Sequence, residues 1–195
     1  LVTNKAIIDT VCKFKPDNVL DIGCGEGWLA KELINRGINV TGIDVVQPLI
    51  DKAKENSTGK FFVATYEDIF LKRISFYNLF DIIVINFALI DKESTENLLP
   101  ALPRLLTPEG YLIIQTLYPQ SRKEINDYTT GWKKGSWDGL GEQFTDSYEW
   151  YFRTQEDWIK LFDESGFILI EEINPLHPVS GKPCSSIFVC SLKLQ

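Results

Sequence analysis

The chain has 195 residues, a net charge of −7 and a pI near 4.8, which is one ordinary domain able to bury a full core without staples. At 44% hydrophobic and 24% charged residues it has the composition of a soluble globular protein, and no apolar run approaches the ~20 residues of a membrane span. There is no basic stripe to track a phosphate backbone, which argues against nucleic acid as a partner.

Residues 2–13 carry Val2, Ala6, Ile7, Ile8 and Val11 at helical spacing, closed by Pro16. Val19–Ile22 reads as a buried strand. It runs through Gly23-Cys24-Gly25-Glu26-Gly27 into a helix predicted to begin near Glu26 or Gly27. That helix presents Leu29, Leu33 and Ile34 on one face and stops at Gly37, a residue suited to a left-handed C′ position. Ile38–Ile43 is a second strand ending in Asp44. Pro48 then opens a helix with Leu49, Ile50 and Ala53 on its face.

Lys60–Ala64 is a third strand. Phe80–Asn86 is an almost continuous apolar run, as a strand covered on both faces requires, and is placed at the sheet's centre. Leu98 to Leu106 suggests helix, split by Pro100 and Pro103. Thr107–Gly110 is a turn, and Tyr111–Leu117 a fifth strand. Thr154 with Asp157 resembles a capping box before a helix carrying Trp158, Ile159, Leu161 and Phe162 and ended by Gly166. Phe167–Ile173 and Ile187–Leu192 complete seven strands. Their short connection has no helical pattern, so they are predicted to pair antiparallel. The expected fold is a Rossmann-like, doubly wound α/β sheet of seven strands, mostly parallel with strand seven antiparallel.

Four cysteines (Cys12, Cys24, Cys184, Cys190) form no C-x-x-C pair, and His177 is the only histidine. Neither a metal site nor a disulfide framework is suggested, and free thiols fit a cytoplasmic protein. No signal peptide is visible. The chain begins at Leu1 and contains no Met, which points to a native N-terminus lying upstream.

The glycine turn is a nucleotide cradle by its chemistry. Glycine tolerates positive φ and lets a ligand lie against bare backbone, beside the free N–H groups of the next helix. Its spacing is Asp21-x-Gly23-x-Gly25-x-Gly27, with Trp28 where the dinucleotide fingerprint has its third glycine. With this turn, the acid Asp44, the Phe80–Asn86 strand, the Thr107–Gly110 turn and the closing strand–loop–strand, the chain resembles the class I S-adenosylmethionine-dependent methyltransferases. The likeness is greatest to the small-molecule branch around ubiquinone and menaquinone C-methyltransferases.

The resemblance implies S-adenosyl-L-methionine as cofactor. Asp21 would lie near the methionine amino group, Gly23, Cys24 and Gly25 along the backbone approach, and Asp44 and Val45 at the ribose. After strand three, Thr65 stands where an acid is often found, which moves the expected adenine contact to Tyr66, Glu67 or Asp68; the alternative is that these residues only start a short helix. Asn86 and Phe87 follow the central strand beside the sulfonium. Asn86 matches the first position of the D/N-P-P-Y/F signature, whose prolines and final aromatic are absent, which argues against nucleobase amines. Phe87 either shields the cofactor or fills core.

Residues 118–152 hold nine of the 24 aromatics, including Trp132, Trp137 and Trp150, with glycines 131, 135, 139 and 141. They read either as a lid over a planar or apolar small-molecule acceptor, or as a hairpin or helix covering the sheet. His177 and Tyr118 are the candidate catalytic residues, His177 as a general base for an acceptor hydroxyl. Arg153 would meet an acidic substrate or pair with Glu156 or Asp157. The expected activity is methyl transfer to an oxygen or carbon of a small molecule. The alternatives are an NAD-linked oxidoreductase, disfavoured by the glycine spacing and the lack of a Tyr-x-x-x-Lys pair, and a non-catalytic cofactor-binding or interaction protein on the same fold.

Overall fold

The computed structural model describes residues 2–134 and 149–193. In chain order the elements are α1 (Val2–Lys13), β1 (Asn18–Ile22), α2 (Trp28–Ile34), β2 (Asn39–Asp44), α3 (Gln47–Asn56), β3 (Lys60–Val63), α4 (Tyr66–Phe70) and β4 (Phe80–Asn86). They continue with α5 (Lys92–Leu98), β5 (Leu106–Thr116), β6 (Gly131–Lys134), β7 (Glu149–Phe152), α6 (Gln155–Glu164), β8 (Phe167–Ile173) and β9 (Ser186–Leu192).

The seven-stranded sheet has the order β3-β2-β1-β4-β5-β9-β8, which puts the apolar β4 at its centre. β1 to β5 run parallel. β9 is antiparallel to both β5 and β8, so β8 runs with the rest. The 174–185 link holds no helix, which a parallel crossover usually requires.

Both faces are covered. On one, Ile7 and Val11 of α1, Leu29 and Leu33 of α2 and Ile50 of α3 pack on Val19, Ile82, Val84 and Ile113. On the other, Ile69, Leu98 and the Trp158–Phe162 pair of α6 pack on Leu20, Ile83, Ile114 and Phe188. Phe162 is fully buried with its ring centroid 5.5 Å from that of Phe188, and truncating such a ring to Ala costs about 3–5 kcal/mol.

Three expectations change. α2 begins at Trp28, because Gly27 is its N-cap in a left-handed conformation (φ 77°) and still belongs to the turn. β5 begins at Leu106: Phe80 pairs with Leu106 and Ile82 with Tyr111, so Thr107–Gly110 is an irregularity inside the strand instead of a turn before it. The proline-split helix is α5 followed by two 3-10 turns, Leu99–Ala101 and Pro103–Leu105, since each proline removes a donor that a longer helix would need.

Of the aromatic segment after β5, the described parts form a 3-10 helix (Pro119–Ile125) and an antiparallel β6–β7 pair that is a sheet of its own. Trp137 and glycines 135, 139 and 141 lie outside the described residues. β7 is anchored to the loop after β4, where the Tyr151 N–H donates to the Ile90 carbonyl at 2.8 Å.

Candidate cofactor and acceptor site

The carboxyl ends of β1 to β4 form the site, and the glycine turn is fixed by main-chain hydrogen bonds. The N–H groups of Gly23 and Cys24 both donate to the Ile43 carbonyl, at 2.8 and 3.0 Å. Asp44 finishes the clamp: one carboxylate oxygen accepts from Gly25 N–H and the other from Val46 N–H, each at 2.9 Å. A carboxylate has about four acceptor positions, so each oxygen retains capacity for a ligand hydroxyl. Gly23, Gly25 and Gly27 all have positive φ. A Cβ added at Gly23 would stand 2.5 Å from the Cβ of Ala88, so only glycine fits there.

Two cavities meet at Gly23. The larger, about 450 Å³, runs from Asp44 and Val45 past Thr65, Tyr66 and Glu67 to Asp91, Glu93, Ser94 and Asn97 around the start of α5. The smaller, about 280 Å³, lies over the turn, between Asp21, Cys24, Gly25 and Glu26 on one side and Trp28, Leu49 and Asn86 on the other. Among the described residues, they are lined between them by six carboxylates (Asp21, Glu26, Asp44, Glu67, Asp91, Glu93) and by no Lys, Arg or His.

Asp21 is 1% exposed, and its Oδ2 has no hydrogen-bond partner. Burial first, and then the negative charge of Asp44, push its carboxyl up to about 7. The Oδ1 of Asn86, beside it in the smaller cavity, is also buried and without a partner. Two unpaired acceptors facing one cavity are costly unless a donor arrives. The ammonium of a methionine moiety is such a donor, and the open backbone at Gly23 and Gly25 suits the approach of a nucleoside. The residues present therefore fit S-adenosylmethionine.

Tyr66 joins the two halves. Its hydroxyl donates to the Ala88 carbonyl at 2.8 Å, which ties α4 to the loop after β4, and burial raises its pKa well above the usual phenol range. Thr65 and Asp68 make a full capping box for α4, so the helix-start reading of this segment holds for those two residues, while Tyr66 and Glu67 line the larger cavity. Phe87 does not fill core: it is 40% exposed with φ 53°, a left-handed conformation that a bulky residue rarely adopts.

The structure does not gather every expected residue. His177 is exposed in the β8–β9 link, and its Nδ1 accepts from the N–H groups of Val179 and Ser180 at 3.3 and 3.2 Å, serving its own turn. Tyr118 is half-buried and its carbonyl accepts from Ser121. Neither lines the two cavities. Arg153 is buried and pairs with Glu96 at 3.2 Å, in place of Glu156 or Asp157; it also donates to the Lys92 carbonyl and lies over the rings of Tyr151 and Trp158. Lining residues that sequence reading did not assign to the site include Trp28, Leu49, Phe70 and the α5 group Asp91, Glu93, Ser94 and Asn97. Asp91 had a local signal, as an acid in N-cap position accepting from Ser94 N–H.

Residues 13–166 match the family model described as a methyltransferase domain, and the chain belongs to that family. An uncharacterised methyltransferase of Mycobacterium tuberculosis is 30% identical over 141 residues, covering 68% of this chain and 71% of that protein. The ubiquinone biosynthesis O-methyltransferase of Rickettsia bellii is 26% identical over 119 residues, 58% of this chain and 50% of that one. Among solved structures, an S-adenosylmethionine-dependent methyltransferase from Clostridium acetobutylicum shares the fold with a TM-score of 0.72 at 14% identity, covering 99% of this chain and 92% of its own.

Proposed function

We propose that this chain transfers the methyl group of S-adenosylmethionine to an oxygen or carbon of a small molecule. The observation that carries the reading is the pair of buried, unpartnered acceptors, Asp21 Oδ2 and Asn86 Oδ1, over a glycine turn held open by Asp44. The cofactor supplies a sulfonium-activated methyl: the C–S bond breaks as the bond to the acceptor forms, the electron pair stays on sulfur, and the acceptor loses a proton. The protein's part is to align the two reactants and exclude water. A dedicated base is optional, and His177 and Tyr118 are candidates for it only with an acceptor that reaches beyond the two cavities.

The carboxylate lining also bears on the rival. A dinucleotide brings a doubly charged pyrophosphate, which six carboxylates without a cation would repel, whereas S-adenosylmethionine carries a net positive charge. The described aromatic residues of β6 and β7, tied at Tyr151 to the loop after β4, support a cover over a planar or apolar acceptor.

Calorimetric titration of the full chain tests the reading. S-adenosylmethionine and its demethylated product should bind, and NAD should not; NAD binding with no response to the other two would overturn it. Asp44→Ala should weaken cofactor binding at least 100-fold with the far-UV spectrum unchanged, and unchanged affinity would remove Asp44 from the site.

A further inference from the structure

A third cavity lies at the amino ends of the parallel strands, the sheet edge opposite the cofactor cavities. It measures about 590 Å³ and is reached by Asn18, Asn39, Lys60 and Phe80, the first residues of β1 to β4. That volume falls within the roughly 300–1,000 Å³ of small-molecule sites.

The cavity exists because the helical cover has a gap. In the β2–β3 register Thr41 pairs with Lys60 and Ile43 with Phe62, so these four side chains share one face of the sheet. Ile43 packs there with Ile69 of α4. With only five residues, α4 rises about 7.5 Å, against about 13 Å for the four residues of β3. Part of β3 is left bare on this face, where Phe62 is 45% exposed, while on the other face Phe61 is buried against Ile50 and Ala53 of α3.

The far wall is the segment between α4 and β4. Phe76 meets Phe80 edge-on at 5.2 Å, which fixes the wall to the start of β4, and the neighbouring Tyr77 is fully exposed. Of the four exposed aromatic rings among the described residues, Phe62, Tyr77, Phe87 and Trp132, two therefore border this cavity. Neither serves the core.

Its charge is the reverse of that on the cofactor side. Among the described residues no carboxylate lines it, and Lys60 is its one charged group, without a hydrogen bond or ion pair to the protein. The side chains of Thr41, Ser75 and Asn78 are likewise without a protein partner and can donate. The rings offer apolar area, and an unpaired ammonium among neutral donors offers a counterpart for negative charge.

We propose that this cavity is a second ligand site, separate from the methyl-transfer site, for a small molecule with a planar aromatic body and one anionic group. Phe62 and Tyr77 receive the body and Lys60 the anion. The assignment does not depend on what the cofactor cavities hold.

The test titrates the full, nitrogen-15-labelled chain with 2-naphthoate and with 2-naphthylmethylamine, which carries the same ring and the opposite charge. 2-Naphthoate should shift the amides of Thr41, Lys60, Phe62 and Tyr77 and leave those of Gly23, Gly25 and Asp44 in place. Read at the shifted amides, it should bind about fivefold more tightly than the amine. Phe62→Ala should weaken it about fivefold, and Lys60→Gln should bring the two probes within about twofold of each other, both with the far-UV spectrum unchanged. No shift at these amides, shifts confined to the cofactor cavities, equal or tighter binding of the amine, or a preference unaltered in Lys60→Gln overturns the proposal. Concentration-dependent shifts of the same amides without a probe would also overturn it, by placing a second copy of the chain there. Should Phe62→Ala fail to fold, Lys60→Gln and the ranking of the two probes still decide.

Discussion

The turn between β1 and α2 and the β6–β7 pair are held by different balances of force. The turn is fixed by backbone donors: Gly23, Cys24 and Gly25 each give an N–H to β2, through the Ile43 carbonyl or the Asp44 carboxylate. The β6–β7 pair adds side-chain contacts to its four-residue antiparallel ladder and to the Tyr151 N–H bond to Ile90. Trp132 meets Tyr151 edge-on at 5.5 Å, Trp150 meets Phe152 at 5.8 Å, and Arg122 stands 5.8 Å from the rings of both Trp150 and Phe152. Each such contact contributes about 0.5–1.5 kcal/mol. A backbone lattice tolerates almost no change at its glycines, while a sum of modest contacts can be released or exchanged piecemeal. The donor end of the site is fixed by its backbone, whereas the described β6–β7 pair draws part of its hold from individual side-chain contacts.

Gly23→Ala gives the largest break. Left-handed strain and the 2.5 Å approach to Ala88 should together cost about 3 kcal/mol and abolish calorimetric binding of S-adenosylmethionine; Gly25→Ala meets no atom within 4 Å, so strain alone should cost about 1–2 kcal/mol. Equal losses in urea melts would show that the turn is not packed as described. Arg153→Leu comes next, at about 2–3 kcal/mol in the same melts, because two charge-assisted hydrogen bonds to α5 are lost. A Lys at that position should recover little, since it cannot reproduce the planar fork between the Tyr151 and Trp158 rings.

The third effect is on pH. Asp21 has its folded pKa raised from 3.8 to about 7, so the folded state holds the proton more tightly than the unfolded one. That contribution is fully present below about pH 4 and is lost as pH rises towards 7, by at most about 1.4 kcal/mol per pH unit. Asp21→Asn should flatten the slope between pH 4 and 7, and a slope unchanged in that variant would assign it to other groups. The smallest effect is expected at Trp132→Ala, about 1 kcal/mol in stability with cofactor affinity unaltered, given a ring that is 52% exposed. A large loss of cofactor binding there would join the two regions that the comparison separates.

The donor half was legible because its chemistry is local. Asp21, three alternating glycines and Asp44 sit at strand ends that hydrophobic runs already define, and their spacing specifies a backbone shape. The α5 side of the larger cavity was not legible, because Glu93 and Asn97 face it only after the chain has crossed β4. His177 carried a misleading signal: its rarity drew attention, yet Nδ1 is engaged by its own turn.

The reversed direction of β9 has a practical consequence. The chain leaves the sheet at Leu192 next to Phe167, where β8 begins, at the edge opposite the carboxyl ends of the parallel strands. A fluorescent reporter or a surface tether joined downstream would be delivered away from the cleft. Immobilised protein should therefore still admit both reactants, which makes surface-based screening of acceptor libraries practicable.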